Sequence, residues 1–207
     1  MLITFEGLDG SGKTTQAARL RDWLQARGYA VLLTREPGGT AIGDAIRALL
    51  ADPRHTHMHA RAEALLFCAA RAQLVHERLK PHLSIGGVVI CDRFADSTLA
   101  YQGYGRGLPL DRLRQLLDFA TEGLTPALTF YLDVRPEVGL QRRQASGTVE
   151  RMDREQLAFY YRVREGYLQL AQQSARWIVL DAEQSVEQLA EQVRQHVAQR
   201  LRSAQTT

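Results

Sequence analysis

Lysine is nearly absent from this chain: of 26 basic residues only Lys13 and Lys80 are lysines, so arginine carries almost all the positive charge. The net formal charge is only +3 over 207 residues, and most arginines alternate with Glu, Asp and Gln along predicted helices, as at Arg112, Arg114 and Arg194. That spread reads as solvated helix faces and excludes the concentrated basic stripe of a nucleic-acid binder. Cysteine is equally scarce. Cys68 and Cys91 lie in apolar surroundings without metal-ligand spacing, which reads as reduced, buried thiols of a cytosolic protein. No apolar run reaches the roughly 18 residues of a membrane span. The first strand begins at Leu2, with no signal peptide ahead of it, so a cytoplasmic location without a membrane partner is expected. Repeats and low-complexity tracts are missing too, and only the tail after Leu201 reads as disordered.

What is present suits one domain over residues 1–207, long enough to bury a sizeable core. Five apolar or β-branched runs stand out, at 2–6, 30–34, 87–91, 127–133 and 176–181. Helical patterns separate them: Thr14 to Arg27 with Gly28 as its stop, then 41–51, 60–83, 96–101, 109–121, 136–145, 153–174 and 185–202. The alternation predicts an α/β fold with a parallel sheet covered by helices on both faces. In such folds ligands bind beyond the carboxyl ends of the strands.

The motifs fall there. Residues Gly7-Leu8-Asp9-Gly10-Ser11-Gly12-Lys13-Thr14 form a full G-x-x-x-x-G-K-[ST] phosphate-binding loop between a strand and a helix. Its backbone N–H groups converge on phosphate oxygens, with the helix N-terminus adding partial positive charge. Lys13 reaches the outer phosphates and the Thr14 hydroxyl is placed for Mg²⁺. The run Val88-Val89-Ile90-Cys91-Asp92 is a buried strand ending in a carboxylate suited to Mg²⁺ or its water shell, followed by Arg93. The second strand ends in Thr34-Arg35-Glu36-Pro37-Gly38-Gly39-Thr40, a tight loop at the same sheet edge. Phe67 and Arg71 share a helix face, one able to stack on a base and the other to donate to a carbonyl on its edge. His55, His57 and His59 alternate in a polar loop and read as exposed histidines rather than a metal site.

Together with Phe5-Glu6-Gly7, Leu66-Phe67-Cys68-Ala69-Ala70-Arg71-Ala72-Gln73 and the segment from Asp92 to Gly107, these motifs resemble thymidylate kinase over almost the whole chain. The resemblance implies a three-layer P-loop fold with a five-stranded parallel sheet and a short mobile lid near 142–153. It implies transfer of the ATP γ-phosphate to dTMP, giving dTDP, with Mg²⁺ as cofactor and a homodimer as the assembly. The apolar helix over 62–74 agrees with a dimer, as it does with simple core packing.

By the same resemblance ATP meets Gly7, Leu8, Asp9, Gly10, Ser11, Gly12, Lys13, Thr14 and Thr15, with Arg143 from the lid. Thr14 and Asp92 organise the metal. Phe67 stacks on thymine, Arg71 bonds its O4 edge, and Ser97 and Gln102 lie near its other polar positions. Tyr101 packs under the deoxyribose. Arg35 and Arg93 hold the acceptor phosphate, Glu36 and Pro37 belong to that side of the site, and Asp9 faces the sugar or the acceptor. Lys13, Asp92, Arg93 and Arg151 are the expected catalytic set.

Two departures from the family pattern bear on the lid. Glu150-Arg151-Met152-Asp153 has the two acids of the usual Asp-Arg-apolar-Glu exchanged, and Gln144 and Ser146 stand where basic residues are expected. The loop's variable positions Leu8, Asp9, Gly10 and Ser11 supply no cation, so the transition-state arginine must come from the lid: Arg151 first, Arg143 or Arg142 second. Other phosphate-loop nucleotide or nucleoside kinases are the competing enzymes. A cytidylate kinase is disfavoured because arginine cannot accept a hydrogen bond from a 4-amino group. A nucleotide-dependent switch protein is disfavoured because it would lack the second pocket implied by the 92–107 segment.

Overall fold

The computed structural model describes residues 1–145, 147 and 150–205, with side chains to Ser203; the expectation for Ser146 lies outside the described residues. Five strands form one parallel sheet: β1 (Leu2–Glu6), β2 (Val31–Arg35), β3 (Val88–Asp92), β4 (Leu128–Asp133) and β5 (Trp177–Asp181), in the order β2-β3-β1-β4-β5. β1 is buried from end to end and β3 as far as Cys91, as the Leu-Ile-Thr-Phe-Glu and Val-Val-Ile-Cys runs require of a sheet covered on both faces. The register sets Phe5 beside Asp92 on one side and Phe130 on the other, so β1 delivers the phosphate loop to the middle of the carboxyl edge.

The helices are α1 (Lys13–Gln25), α2 (Ala41–Ala51), α3 (Ala60–Leu74), α4 (Lys80–Ser84), α5 (Ala95–Thr98), α6 (Leu110–Thr121), α7 (Pro136–Gln144), α8 (Leu157–Ala171) and α9 (Val186–Gln205). No helix among the described residues is long and apolar enough to cross a membrane. One large apolar core joins the sheet to α1, α6, α8 and α9, and a smaller cluster packs Leu2, Val89 and Cys91 against Leu74, Val75 and Leu79. Cys68 and Cys91 are both buried free thiols.

The helices differ from the periodicity reading in four places. The helix expected over 60–83 is α3 continued by a π-helical stretch, Val75–Leu79, into α4. The helix expected over 96–101 is one short α-helical turn opening into a longer π-helical stretch, Leu99–Gly105. Gly105 at its end lets α8 approach: a Cβ there would lie 2.6 Å from the Phe159 ring. The helix expected from 153 starts at Leu157, after a separate 3₁₀ turn, Arg151–Arg154. The last helix continues to Gln205, past the expected disordered boundary at Leu201. Apolar spacing does not distinguish 3.6 from 4.4 residues per turn over so few residues.

Candidate active site

The loop after β1 is shaped by glycines that a side chain could not replace. Gly10 has φ +78°, and a Cβ there would fall 2.2 Å from the Gly139 carbonyl oxygen. Gly12, at φ +91°, begins α1; no side chain caps that helix and no acid occupies its first turn, so its N–H groups face outward uncontested. A helix start of this kind is suited to an anion. Lys13 folds back over the loop, its Nζ donating to the Leu8 carbonyl at 2.8 Å and lying 3.9 Å from Asp9. Burial, with Arg93 close by, lowers the Lys13 ammonium to a pKa of about 8.

The carboxyl end of β3 supplies the next pair. Thr14 Oγ1 donates to Asp92 Oδ2 at 2.5 Å. The chain then turns sharply: Arg93 has φ +70°, a conformation unusual for a side chain of its size, while its N–H donates to Phe5 O at 2.9 Å. The turn throws the guanidinium over the loop. It donates to Asp9 at 2.7 Å, to Tyr101 and Ser97 at 3.3 Å and to Tyr167 at 3.4 Å. Burial alone would raise Asp9, but Arg93 and Lys13 overcome it and hold that carboxyl below the usual range.

Glu6, at the end of β1, anchors this corner from below. It is fully buried and accepts from the Phe94 N–H at 2.8 Å, Ser97 Oγ at 2.5 Å and Tyr167 OH at 2.9 Å. Burial and the nearby Asp96 raise its pKa to about 7. Another buried pair lies beside it. Glu36 Oε2 accepts from Arg71 Nε at 2.7 Å, and the same guanidinium donates to Thr98 Oγ1 and Phe94 O, both at 3.1 Å. Both members of the pair are almost completely buried. Glu36 Oε1 is left without a partner.

The third corner is a pocket wall and a lid. Phe67 on α3 and Tyr101 and Gln102 on the π-helical stretch line one side of the cleft. Gln102 Nε2 donates to Glu63 Oε1 at 2.8 Å, and Glu63 also meets Arg106 at 3.1 Å and Arg151 at 2.7 Å. From the lid, Arg142, Arg143, Glu150 and Met152 close the other side. Arg143 pairs with Asp153 at 3.2 Å and Glu150 at 3.6 Å, and Arg47 on α2 reaches Glu150 at 3.0 Å. The exchanged acids form a capping box on the 3₁₀ turn, Asp153 accepting from the Glu150 N–H at 2.7 Å.

These corners enclose one cleft of about 450 Å³. It gathers Asp9, Gly10, Gly12, Lys13, Thr14, Thr15, Arg35, Glu36, Pro37, Phe67, Asp92, Arg93, Ser97, Tyr101, Gln102 and Arg143 of the expected set. Gly7, Leu8 and Ser11 are buried within the loop itself. Two residues stand apart. Arg71 lies behind the wall, its donors committed to Glu36, Thr98 and Phe94 O. Arg151 is buried outside the cleft lining, with Nε donating to the Leu50 carbonyl at 3.0 Å and Nη2 in an ion pair with Glu63 at 2.7 Å that lacks hydrogen-bond alignment. The lid cations that face the cleft are therefore Arg142 and Arg143, where sequence reading put Arg151 first. The histidine triplet remains in an exposed loop, where His59 accepts from the Arg61 N–H to start α3. Among the described residues no group of three His, Cys, Asp or Glu is arranged to hold a metal alone.

Sequence reading missed Glu6, Glu63 and Arg47. Glu6 had a usable signal, as a carboxylate closing an otherwise apolar central strand. Glu63 and Arg47 carried none, because a single charge on an amphipathic helix reads as a solvated face.

Comparison with known proteins points to one family. The family model described as thymidylate kinase matches residues 5–193. A thymidylate kinase of Roseiflexus sp. (strain RS-1) is 50% identical over 206 residues, covering 93% of this chain and 91% of that protein. One from Geobacillus sp. (strain WCH70) is 48% identical, covering 90% of each. The crystal structure of thymidylate kinase from Ehrlichia chaffeensis superposes with a TM-score of 0.73 at 38% identity, covering 87% of this chain and 91% of that one. The chain belongs to the thymidylate kinase family.

Proposed function

We propose that this protein transfers the γ-phosphoryl group of ATP to the 5′-phosphate of dTMP, giving dTDP on the route to dTTP. The observation that carries the reading is the sharing of one cleft by a phosphate loop and by the Phe67–Gln102 wall, with Arg35, Arg93, Arg142 and Arg143 around it. Such an arrangement suits two anionic nucleotides brought end to end. Their repulsion is the main obstacle, and fixed cations offset it. The nucleophile is a phosphate oxygen, largely ionised at neutral pH, so the site has no need of a general base.

In this reading the loop and Lys13 hold the donor, and Phe67 stacks on thymine with Tyr101 beneath the sugar. Arg93, braced by Asp9, and Arg35 hold the acceptor phosphate; Arg35 is exposed and enters no ion pair among the described residues. Glu36 and Pro37 shape that side, with the Glu36 N–H fixed on the Asp92 carbonyl at 2.9 Å. Arg71, bonded to Glu36, Thr98 and Phe94 O, braces the base-side wall from behind. Arg143 is the lid cation at the transferring phosphoryl group, with Arg142 next to it, and Arg151 anchors the lid. Met152 and Glu150 cover the cleft from the lid and help keep water from the phosphoryl group.

Thr14 Oγ1 and Asp92 Oδ2 fit Mg²⁺: two hard oxygens, side by side, at the mouth of a phosphate loop. Mg²⁺ needs few protein ligands when phosphates and water supply the rest. When bound it would neutralise charge on the donor phosphates. A homodimer is consistent with the exposed apolar side chains of Ile42 and Leu49 on α2 and Leu65 on α3.

The test is ADP release with dTMP, dUMP, dCMP or no acceptor. ADP formation should depend on dTMP. An equal rate with no acceptor would reject the kinase reading in favour of an ATPase or a nucleotide switch.

A further inference from the structure

Glu63 is fully buried on the first turn of α3, and three elements converge on it. Gln102 comes from the π-helical stretch that lines the cleft, Arg106 from the residue after it, and Arg151 from the lid. Arg106 continues outward to Glu155 at 2.7 Å, so the two guanidinium groups are balanced by two carboxylates. Burial disfavours the ionised form of Glu63, but Arg106 and Gln102 outweigh it and hold its pKa below the usual value. An ionised carboxylate only accepts hydrogen bonds. Gln102 must therefore turn its NH₂ toward Glu63, which leaves its carbonyl oxygen for the cleft.

We propose that Glu63 is a positioning residue that sets base selectivity by locking the Gln102 amide with its carbonyl toward the base. The proposal rests on the reading above that Gln102 lies beside the acceptor base. A carbonyl there accepts from a ring N–H, which thymine and uracil present at N3 and cytosine does not. The reversed amide would do the opposite and offer a donor to the bare N3 of cytosine. One buried carboxylate thus decides between two pyrimidine edges without touching either. Because Arg151 binds the same carboxylate, the lid is seated on the group that orients the base reader.

The experiment compares kcat/KM for dTMP and dCMP in the wild type, E63Q, Q102A and R151Q. A glutamine at 63 offers Gln102 either an oxygen or an NH₂, so the lock is lost. E63Q should raise KM for dTMP more than it lowers kcat, and should reduce the dTMP:dCMP preference at least about tenfold, because discrimination by paired polar groups is otherwise large. Q102A should reduce the same ratio. R151Q, which removes a lid contact but leaves Glu63 on Gln102, should keep it. E63D, with the carboxylate drawn back by one methylene, serves the same comparison where E63Q does not fold. A wild-type ratio in the folded Glu63 variant alongside a reduced ratio in Q102A overturns the role of Glu63. A wild-type ratio in Q102A overturns both the role and the placement of the base.

Discussion

The Thr14 hydroxyl and the Asp92 carboxylate, 78 residues apart in sequence, meet in a 2.5 Å hydrogen bond. The contact joins the start of α1 to the end of β3 and places two oxygen donors next to the loop that would hold ATP. If this pair takes Mg²⁺, Asp92→Asn should raise the Mg²⁺ concentration for half-maximal rate by about tenfold or more, the scale seen when a metal site loses a carboxylate partner. A Mg²⁺ titration of the initial rate checks it, and an unchanged half-saturation point speaks against the pair.

Lys13 gives the site a pH signature. Its ammonium is weakened to a pKa of about 8 by burial and by Arg93. ATP phosphates favour the protonated form, so affinity should fall as pH rises through that value. With the proton about 90% lost one unit higher, ATP should bind about tenfold more weakly at pH 9 than at pH 7. Lys13→Arg keeps its charge throughout and should show no such fall. Calorimetric titration of both proteins makes the comparison; parallel profiles would assign the pH effect elsewhere.

The lid arginines separate by position. Arg143→Ala should lower kcat by about 10³-fold, the scale of an arginine that stabilises the phosphoryl-transfer transition state. Arg151→Ala should act mainly through KM, because its guanidinium is spent on Leu50 O and Glu63 outside the cleft. Single-turnover rates at saturating substrate distinguish them. A larger loss in kcat for Arg151→Ala than for Arg143→Ala reverses the assignment.

The Glu36–Arg71 pair should show in stability as well as activity. Both side chains are buried, at 2% and 1% exposure. Replacing Glu36 with Leu strands the guanidinium and should cost about 3–5 kcal/mol, whereas changing both to apolar residues should cost clearly less. Urea unfolding of the single and double variants tests this; a single variant within 1 kcal/mol of wild type, on the scale of ordinary surface changes, means that the pair is not an essential buried charge match.

The sheet and most of the cleft were legible in the sequence because both depend on local patterns. Short apolar runs marked the strands, and the phosphate loop, Asp92-Arg93 and Arg35-Glu36-Pro37 each follow one directly. The supporting charges were not legible. Glu63 serves partners 39, 43 and 88 residues away, and its own neighbourhood reads as an ordinary helix. Arg151 was named from the lid motif, and its partners on α2 and α3, set by tertiary packing, could not be read there. The exchanged lid acids, a departure in sequence, form a local cap on the 3₁₀ turn.

The central claim is phosphoryl transfer between two nucleotides in one cleft. Its most direct test is ³¹P NMR of the protein with ATP, Mg²⁺ and dTMP. The account predicts loss of the dTMP resonance with the appearance of dTDP and ADP in equal amounts. ADP with inorganic phosphate and unchanged dTMP would contradict it.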